Sequence, residues 1–372
     1  MTVFASPVPL FLPRERLQAL VDALRGSGRR CLGPRVRDGA IVYDWLTDVA
    51  ELPTGVADVQ LPGSYRLERS GAGRQFAWAT GPQALKPLLF APREALWRVV
   101  RGDDGRLAFR EVVPDVQPLA VIGVRACDLA ALALQDRHFL QGPYRDPYYA
   151  RRREQLFLVA VGCSHPASTC FCASTGDGPR PQHSFDILLE ELDAGFIAHG
   201  GSSQGQQILA ALGLAPASEA QLRLAQAESE HAAAVQTRKL PSRNLRGALF
   251  ANLDHGRWDE VAQRCLTCGN CTSVCPTCFC HSEHEVQALD GQESEHLREW
   301  DSCFTRGHSH LHGFTVRPDT RSRYRQWLTH KLGSWHDQYG RSGCVGCGRC
   351  IAWCPVGIDI TEEATAICGQ SA

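Results

Sequence analysis

A mixed α/β N-terminal region, followed by a small helical domain organised around cysteines, is the fold class this chain predicts. Three observations lead there. Strand-length apolar runs alternate with helical periodicity in the first two thirds of the 372 residues. Cysteine is concentrated at the far end: of 17, all but Cys31, Cys127, Cys163, Cys170 and Cys172 lie between Cys265 and Cys368. No stretch approaches the roughly 18–20 apolar residues of a membrane span.

The elements follow in order. Arg14 to Leu24 places Leu17, Leu20, Val21 and Leu24 at helical spacing and stops at Gly26. Ala40–Tyr43, Tyr65–Glu68, Phe76–Ala79 and Trp97–Val100 read as short strands, and Arg101-Gly-Asp-Asp-Gly-Arg106 as a hairpin turn. Leu119–Val124 and Gln155–Val161 are buried-strand runs flanking a helix over Asp128–Phe139, which suggests a parallel pair. Residues 217–239 read as a surface helix leading to the last domain. The expected division is 1–115, mixed α/β; 116–250, α/β; and 251–372, the helical cysteine-rich domain.

Charge is balanced, with 39 basic against 40 acidic side chains. That gives no electrostatic reason to expect nucleic acid or an anionic membrane as a partner. The N-terminus has neither a basic n-region nor a sustained apolar stretch, so a cytoplasmic protein is expected. A reducing compartment favours thiolate ligands over disulfides.

The chemistry lies in two runs. Cys265-Leu-Thr-Cys268-Gly-Asn-Cys271-Thr-Ser-Val-Cys275-Pro276 is repeated in pattern as Cys344-Val-Gly-Cys347-Gly-Arg-Cys350-Ile-Ala-Trp-Cys354-Pro355. Three cysteines at x-x spacing wrap one side of a cubane 4Fe–4S cluster. In two-cluster ferredoxins the Cys before Pro ligates the other cluster. The expected sets are therefore crossed: Cys265, Cys268, Cys271 and Cys354 for cluster 1, and Cys344, Cys347, Cys350 and Cys275 for cluster 2. This makes the last domain ferredoxin-like. A pair of zinc sites is the alternative, but zinc requires neither the third Cys nor the Cys-Pro. Gly269, Gly346 and Gly348 are expected to let the backbone approach the cage.

A third site is suggested at the ends of the two buried strands, where Cys127, Cys163, Cys170 and Cys172 converge. A third 4Fe–4S cluster, a zinc site and buried free cysteines all remain open there. Cys278, Cys280 and Cys303 are expected to pack or to lie behind the ligands, and Cys31 and Cys368 to be ordinary thiols. His308, His310 and His312 alternate along one segment and are expected to be solvated or to lie behind ligands rather than to bind metal. The basic, aromatic stretch from Arg317 to Lys331 is expected to pack near anionic clusters or to meet a partner. There is no dinucleotide fingerprint, no P-loop and no nucleophile elbow, so neither a substrate site nor a catalytic residue is expected on this chain.

Further motifs carry a family resemblance: Pro62-Gly-Ser-Tyr-Arg66, Gly123-Val-Arg-Ala-Cys-Asp-Leu129, Cys170-Phe-Cys172, Cys275-Pro-Thr-Cys-Phe-Cys280 and the His308–Lys331 stretch. With them the chain resembles the beta subunit of sulfhydrogenase-type, NAD(P)-linked nickel–iron hydrogenases and the related iron–sulfur subunit of anaerobic sulfite reductase. The resemblance implies a 4Fe–4S dicluster subunit without flavin. FAD and NAD(P)H would be bound by a flavoprotein partner, and a catalytic subunit, nickel–iron or sulfite-reducing, would sit at the other end of the relay. A free-standing iron–sulfur redox sensor is a distant alternative, and no helix-turn-helix signal accompanies it.

Overall fold

The structure is a computed structural model that describes residues 8–71, 73–83, 85–241 and 244–369. Strands β1 (Leu10–Pro13), β2 (Arg30–Arg37), β3 (Ala40–Trp45), β4 (Val56–Leu61), β5 (Ser64–Arg69), β6 (Arg93–Arg101) and β7 (Leu107–Glu111) come first. They are followed by β8 (Leu119–Val124), β9 (Leu156–Val161), β10 (Ile187–Leu192), β11 (Gly195–Gly200), β12 (Ala215–Pro216), β13 (His281–Gln287) and β14 (Glu293–Trp300). An eight-stranded sheet has the order β12-β1-β11-β10-β9-β8-β2-β3. Its middle strands β2, β8, β9 and β10 are mutually parallel, and antiparallel strands flank them.

Period-two alternation explains why this sheet is covered on both sides. Ala120, Ile122, Phe157 and Val159 face one core with Leu20, Val21 and Phe196, whereas Val121, Leu156, Leu158 and Ala160 face another with Leu129 and Tyr149. A bulge between Ile122 and Val124, with Gly123 at φ +91°, breaks the alternation and turns Val124 into the second core. The chain then enters the helix Ala126–Gln141 with Cys127 in its first turn. The expected helix at Arg14 begins as a 3-10 turn and is α-helical over Leu17–Gly26.

Phe76–Ala79 is not a strand. It is fully buried, but side chains rather than a ladder satisfy its backbone. The amides of Gln75 and Phe76 donate to the Glu191 carboxylate at 2.8 Å each. The carbonyls of Phe76 and Trp78 accept from Arg125 at 2.9 and 2.5 Å. An apolar run thus mimics strand composition while its polar groups find other partners.

The second sheet, of order β13-β14-β6-β7, joins distant parts of the chain, since β14 pairs antiparallel with β6. Buried Arg298 on β14 holds that seam, donating to Glu94 at 2.8 Å and Asp146 at 2.5 Å. A third core belongs to the C-terminal part: Trp258, Val261, Tyr324, Trp327, Leu328, Ile351, Ile360 and Ala364. It is built mainly by the helices Arg257–Arg264, Thr320–Thr329 and Ile360–Cys368. Among the described residues no helix is long and apolar enough to cross a membrane.

Candidate iron–sulfur centres

Each cysteine run is an extended wrap ending in one helical turn, Asn270–Ser273 in the first and Arg349–Ala352 in the second. Left-handed residues bend the wrap: Thr267 and Gly269 in the first run, Gly346 and Gly348 in the second. The bend aims amides at sulfur. Thr267 N donates to Cys265 Sγ at 3.4 Å, Gly346 N to Cys344 Sγ at 3.5 Å and Ile358 N to Cys354 Sγ at 3.3 Å. Amide donors on sulfur favour the thiolate form that iron requires.

Cys265, Cys268, Cys271 and Cys354 line one cavity, walled by Phe304, Tyr324 and Trp327, and Cys350 of the second run reaches the same cavity. Cys344, Cys347 and Cys350 sit within electrostatic reach of one another and of Cys275. Each run therefore lends its Cys-Pro cysteine to the other's neighbourhood. Burial pushes the Cys344 thiol up to about 12 and the Cys271 and Cys350 thiols well above their ordinary value. Such thiols stay protonated unless a metal displaces the proton, so the donor chemistry fits a cluster that supplies its own positive charge. Cys275 is shifted the other way. A hydrogen bond with Cys278 holds it low against the effect of burial, helped by Lys331, whose Nζ donates to Cys275 Sγ at 3.5 Å. Among the described residues no three His, Cys, Asp or Glu side chains converge tightly enough to hold a single metal ion.

Two of the glycines are also held by a protein contact that the sequence does not announce. A Cβ on Gly346 would lie 2.5 Å from Cys172 N, and one on Gly348 would lie 2.4 Å from Thr169 O. The Thr169–Cys172 loop crowds both positions.

The N-terminal motifs converge on the second run. Phe171 N donates to Gly346 O at 2.8 Å, and Gly63 N donates to Ile351 O at 3.0 Å. Tyr65 stacks on Trp353 with centroids 5.0 Å apart. Asp177 ties the loop after Cys172 to Arg341 at 2.8 Å. Burial pushes its carboxyl up, but hydrogen bonds from His183 and Arg341 outweigh that and hold it below the usual carboxylate range. These contacts link segments far apart in sequence.

The strand-end cysteines also approach one another. Cys170 feels Cys172 and Cys163, and Cys127 feels Cys347 and Cys172. Burial raises all four thiols, Cys172 to about 12. Cys172 Sγ also accepts from Gln236 Nε2 at 3.5 Å.

Cys278 lies in hydrogen-bond contact with Cys275, and Cys280 with both Cys303 and His308. Nothing in the spacing of these residues announces that grouping, because the polar hairpin β13–β14 creates it by bringing Asp301 N to Cys280 O at 2.9 Å. His310 and His312 are exposed and do not join His308. The Arg317–Lys331 stretch packs against the cysteine runs. Tyr324 and Trp327 wall the first cavity, Arg321 pairs with Asp259 at 3.0 Å, and Lys331 reaches Cys275.

Residues 264–358 match the family described as "4Fe-4S dicluster domain". The chain is 31% identical over 277 residues to the sulfhydrogenase 2 subunit beta of Pyrococcus furiosus, an alignment covering 74% of this chain and 79% of that relative. No solved structure matches it. The wraps, their crossed neighbourhoods and this likeness lead to one assignment: the chain belongs to the sulfhydrogenase beta-subunit family of iron–sulfur electron-transfer proteins.

Proposed function

We propose that this chain is a cytoplasmic, non-catalytic subunit that relays single electrons between a flavoprotein partner holding FAD and binding NAD(P)H and a nickel–iron hydrogenase catalytic module. The observation that carries the proposal is the crossed grouping of the eight cysteines of the two runs. Cys265, Cys268, Cys271 and Cys354 would hold cluster 1, and Cys344, Cys347, Cys350 and Cys275 cluster 2. When bound, each cluster takes up and gives back one electron, which suits it to a flavin that splits a hydride couple into single-electron steps.

The chain's own residues set the surroundings. Phe304, Tyr324 and Trp327 keep water from one side of the first set. Cys268 and Leu266 are exposed, which supports this edge as the place where a partner approaches. The second set is clamped by the N-terminal motifs and lies deeper. A third cluster on Cys127, Cys163, Cys170 and Cys172 belongs to the same reading, supported by their approach at the strand ends. Cys170→Ser with Cys172→Ser should then remove about four iron per chain, and an unchanged iron content in the folded variant overturns that part.

Anaerobic affinity purification from the native host tests the relay. Co-purification of a flavoprotein and a nickel–iron subunit is the expected result. A sirohaem-type subunit in place of the nickel–iron one overturns the hydrogenase assignment in favour of sulfite reduction, and a chain that purifies alone overturns the relay.

A further inference from the structure

A cavity of about 940 Å3 opens where the helix Ala126–Gln141 ends, and no cysteine lines it. Its walls carry Arg137, Arg145 and Arg298 against a single carboxylate, Asp146. That carboxylate is already taken, by Arg298 at 2.5 Å and by the Tyr149 amide at 2.8 Å. Arg137 is exposed, donates to the carbonyl of Tyr339 and pairs with no carboxylate among the described residues. Arg145 meets Glu154 at 2.9 Å, but both side chains face water, so the pair holds that charge weakly. Arg298 is 6% exposed, and its Nε finds no acceptor among the described residues. A buried donor left unpaired is costly, so an acceptor belongs near it. At the rim stands Tyr144, 90% exposed. Tyrosine and arginine are the side chains that most often anchor one protein on another.

The second cysteine run lies behind this wall. The His138 ring, which lines the cavity, stacks on Phe279 with centroids 3.8 Å apart. Phe279 meets Trp335 at 5.7 Å, and Trp335 meets Tyr339, on the opposite wall, at 4.7 Å. His138 Nδ1 lies 2.8 Å from the Tyr339 hydroxyl, which closes the ring of side chains. The same group packs against Val345 and Cys347. One turn earlier on the helix, Gln135 donates to the Pro276 carbonyl at 2.8 Å. A single layer of rings therefore separates the cavity from the second run. A relay needs an entrance and an exit. The exposed edge at Leu266 and Cys268 serves the first cysteine set, and the cavity is the approach to the second.

We infer that this cavity is the docking site for the second partner subunit, and that it takes an acidic segment of that partner, whose carboxylates meet Arg137 and Arg145 while Tyr144 packs against its chain. The inference rests on the relay reading and adds to it where the second partner sits. Complementary charge fits the walls, which hold three arginines against one occupied carboxylate. The two partners then bind on separate faces, so each can be detached without the other.

The test uses the whole complex, purified anaerobically from the native host through a tag on this chain, with iron and subunit stoichiometry measured together. Arg137→Glu with Tyr144→Ala should keep the iron content of wild type and one partner subunit, while recovery of the other falls roughly tenfold or more. If that variant does not fold, Arg145→Glu with Tyr144→Ala takes its place and should show the same selective loss. Both subunits at wild-type stoichiometry in a folded variant overturn the docking site and leave the relay standing. So does an isolated wild-type chain that binds ADP through Arg137 while the variant complex stays whole, because the cavity is then a nucleotide site. A wild-type chain that purifies alone is a different outcome, and it defeats the relay reading and the docking site together.

Discussion

Arg349 forms a two-pronged ion pair with Asp128, at 2.7 and 3.0 Å, with both side chains 1% exposed. Arg349 lies between Cys347 and Cys350, and Asp128 directly follows Cys127. The pair therefore fastens the second cysteine run to the helix that starts at the end of β8. Removing one partner strands a buried charge, which costs about 3–5 kcal/mol. Arg349→Met should lower stability by that amount in anaerobic denaturant titrations. Adding Asp128→Leu should recover a substantial part, and a double variant worse than the single one would contradict the account.

Gly346→Ala should be damaging for a different reason. Its φ of +65° disfavours any side chain, and the new methyl would meet the Cys172 amide at 2.5 Å. Overpacking of about 1–3 kcal/mol is expected, with strain from the left-handed backbone of about 1–2 kcal/mol in addition. Thermal melting checks the loss. Iron analysis should show the second cluster affected before the first.

Cys271→Ser should damage the first ferredoxin-type cluster and stop electron flow between partners. NAD(P)H-dependent dye reduction by the flavoprotein subunit should remain at its wild-type rate. Coupled turnover above about a tenth of wild type would mean that electrons bypass this cluster, since the loss of a relay member is expected to exceed the 10–100-fold effect of merely disturbing its surroundings.

The β13–β14 hairpin should weaken as pH rises. Burial tends to lower the pKa of His296, but hydrogen bonds with Glu285 at 2.6 Å and Glu283 at 3.2 Å outweigh it and raise the pKa above the ordinary 6.5. A raised histidine contributes stability that is complete below about pH 6.5 and is lost as pH climbs through the higher folded value. Amide protection factors across residues 281–300, taken relative to the intrinsic base-catalysed rate at each pH, should fall over that interval, and His296→Gln should abolish that fall. A midpoint for His296 at or below 6.5 by NMR would refute it.

Much of this was legible in the sequence because it depends on spacing. The cysteine runs state their own wrap, and the crossed neighbourhoods follow from the Cys-Pro cysteines. Leu119–Val124 and Leu156–Val161 are apolar enough to declare a parallel pair. What could not be read depends on long-range pairing. His281–Gln287 is polar and nearly all exposed, stabilised by cross-strand charge partners such as His296, which meets both Glu285 and Glu283. It looks like a loop until β14 is present. Cys303 and His308 consequently carry no hint that they meet Cys280. Phe76–Ala79 misled in the other direction: Glu191 and Arg125, far away in the chain, supply what a neighbouring strand would have supplied. Gly346 and Gly348 were recognised as special, but the chain that crowds them is encoded about 175 residues earlier.

The seam between β6 and β14 also sets a schedule. At a synthesis rate of about 5–20 residues per second, the ribosome needs roughly 10–40 s after β6 emerges before β14 is available to cover it. Through that interval the β6–β7 hairpin has an open edge, the kind that invites pairing with a neighbour's chain. The last ligand cysteines appear later still. Cluster delivery therefore meets a protein whose N-terminal sheet is already formed but whose second sheet is newly closed, and the two cysteine runs cannot be loaded as a free-standing ferredoxin ahead of the rest.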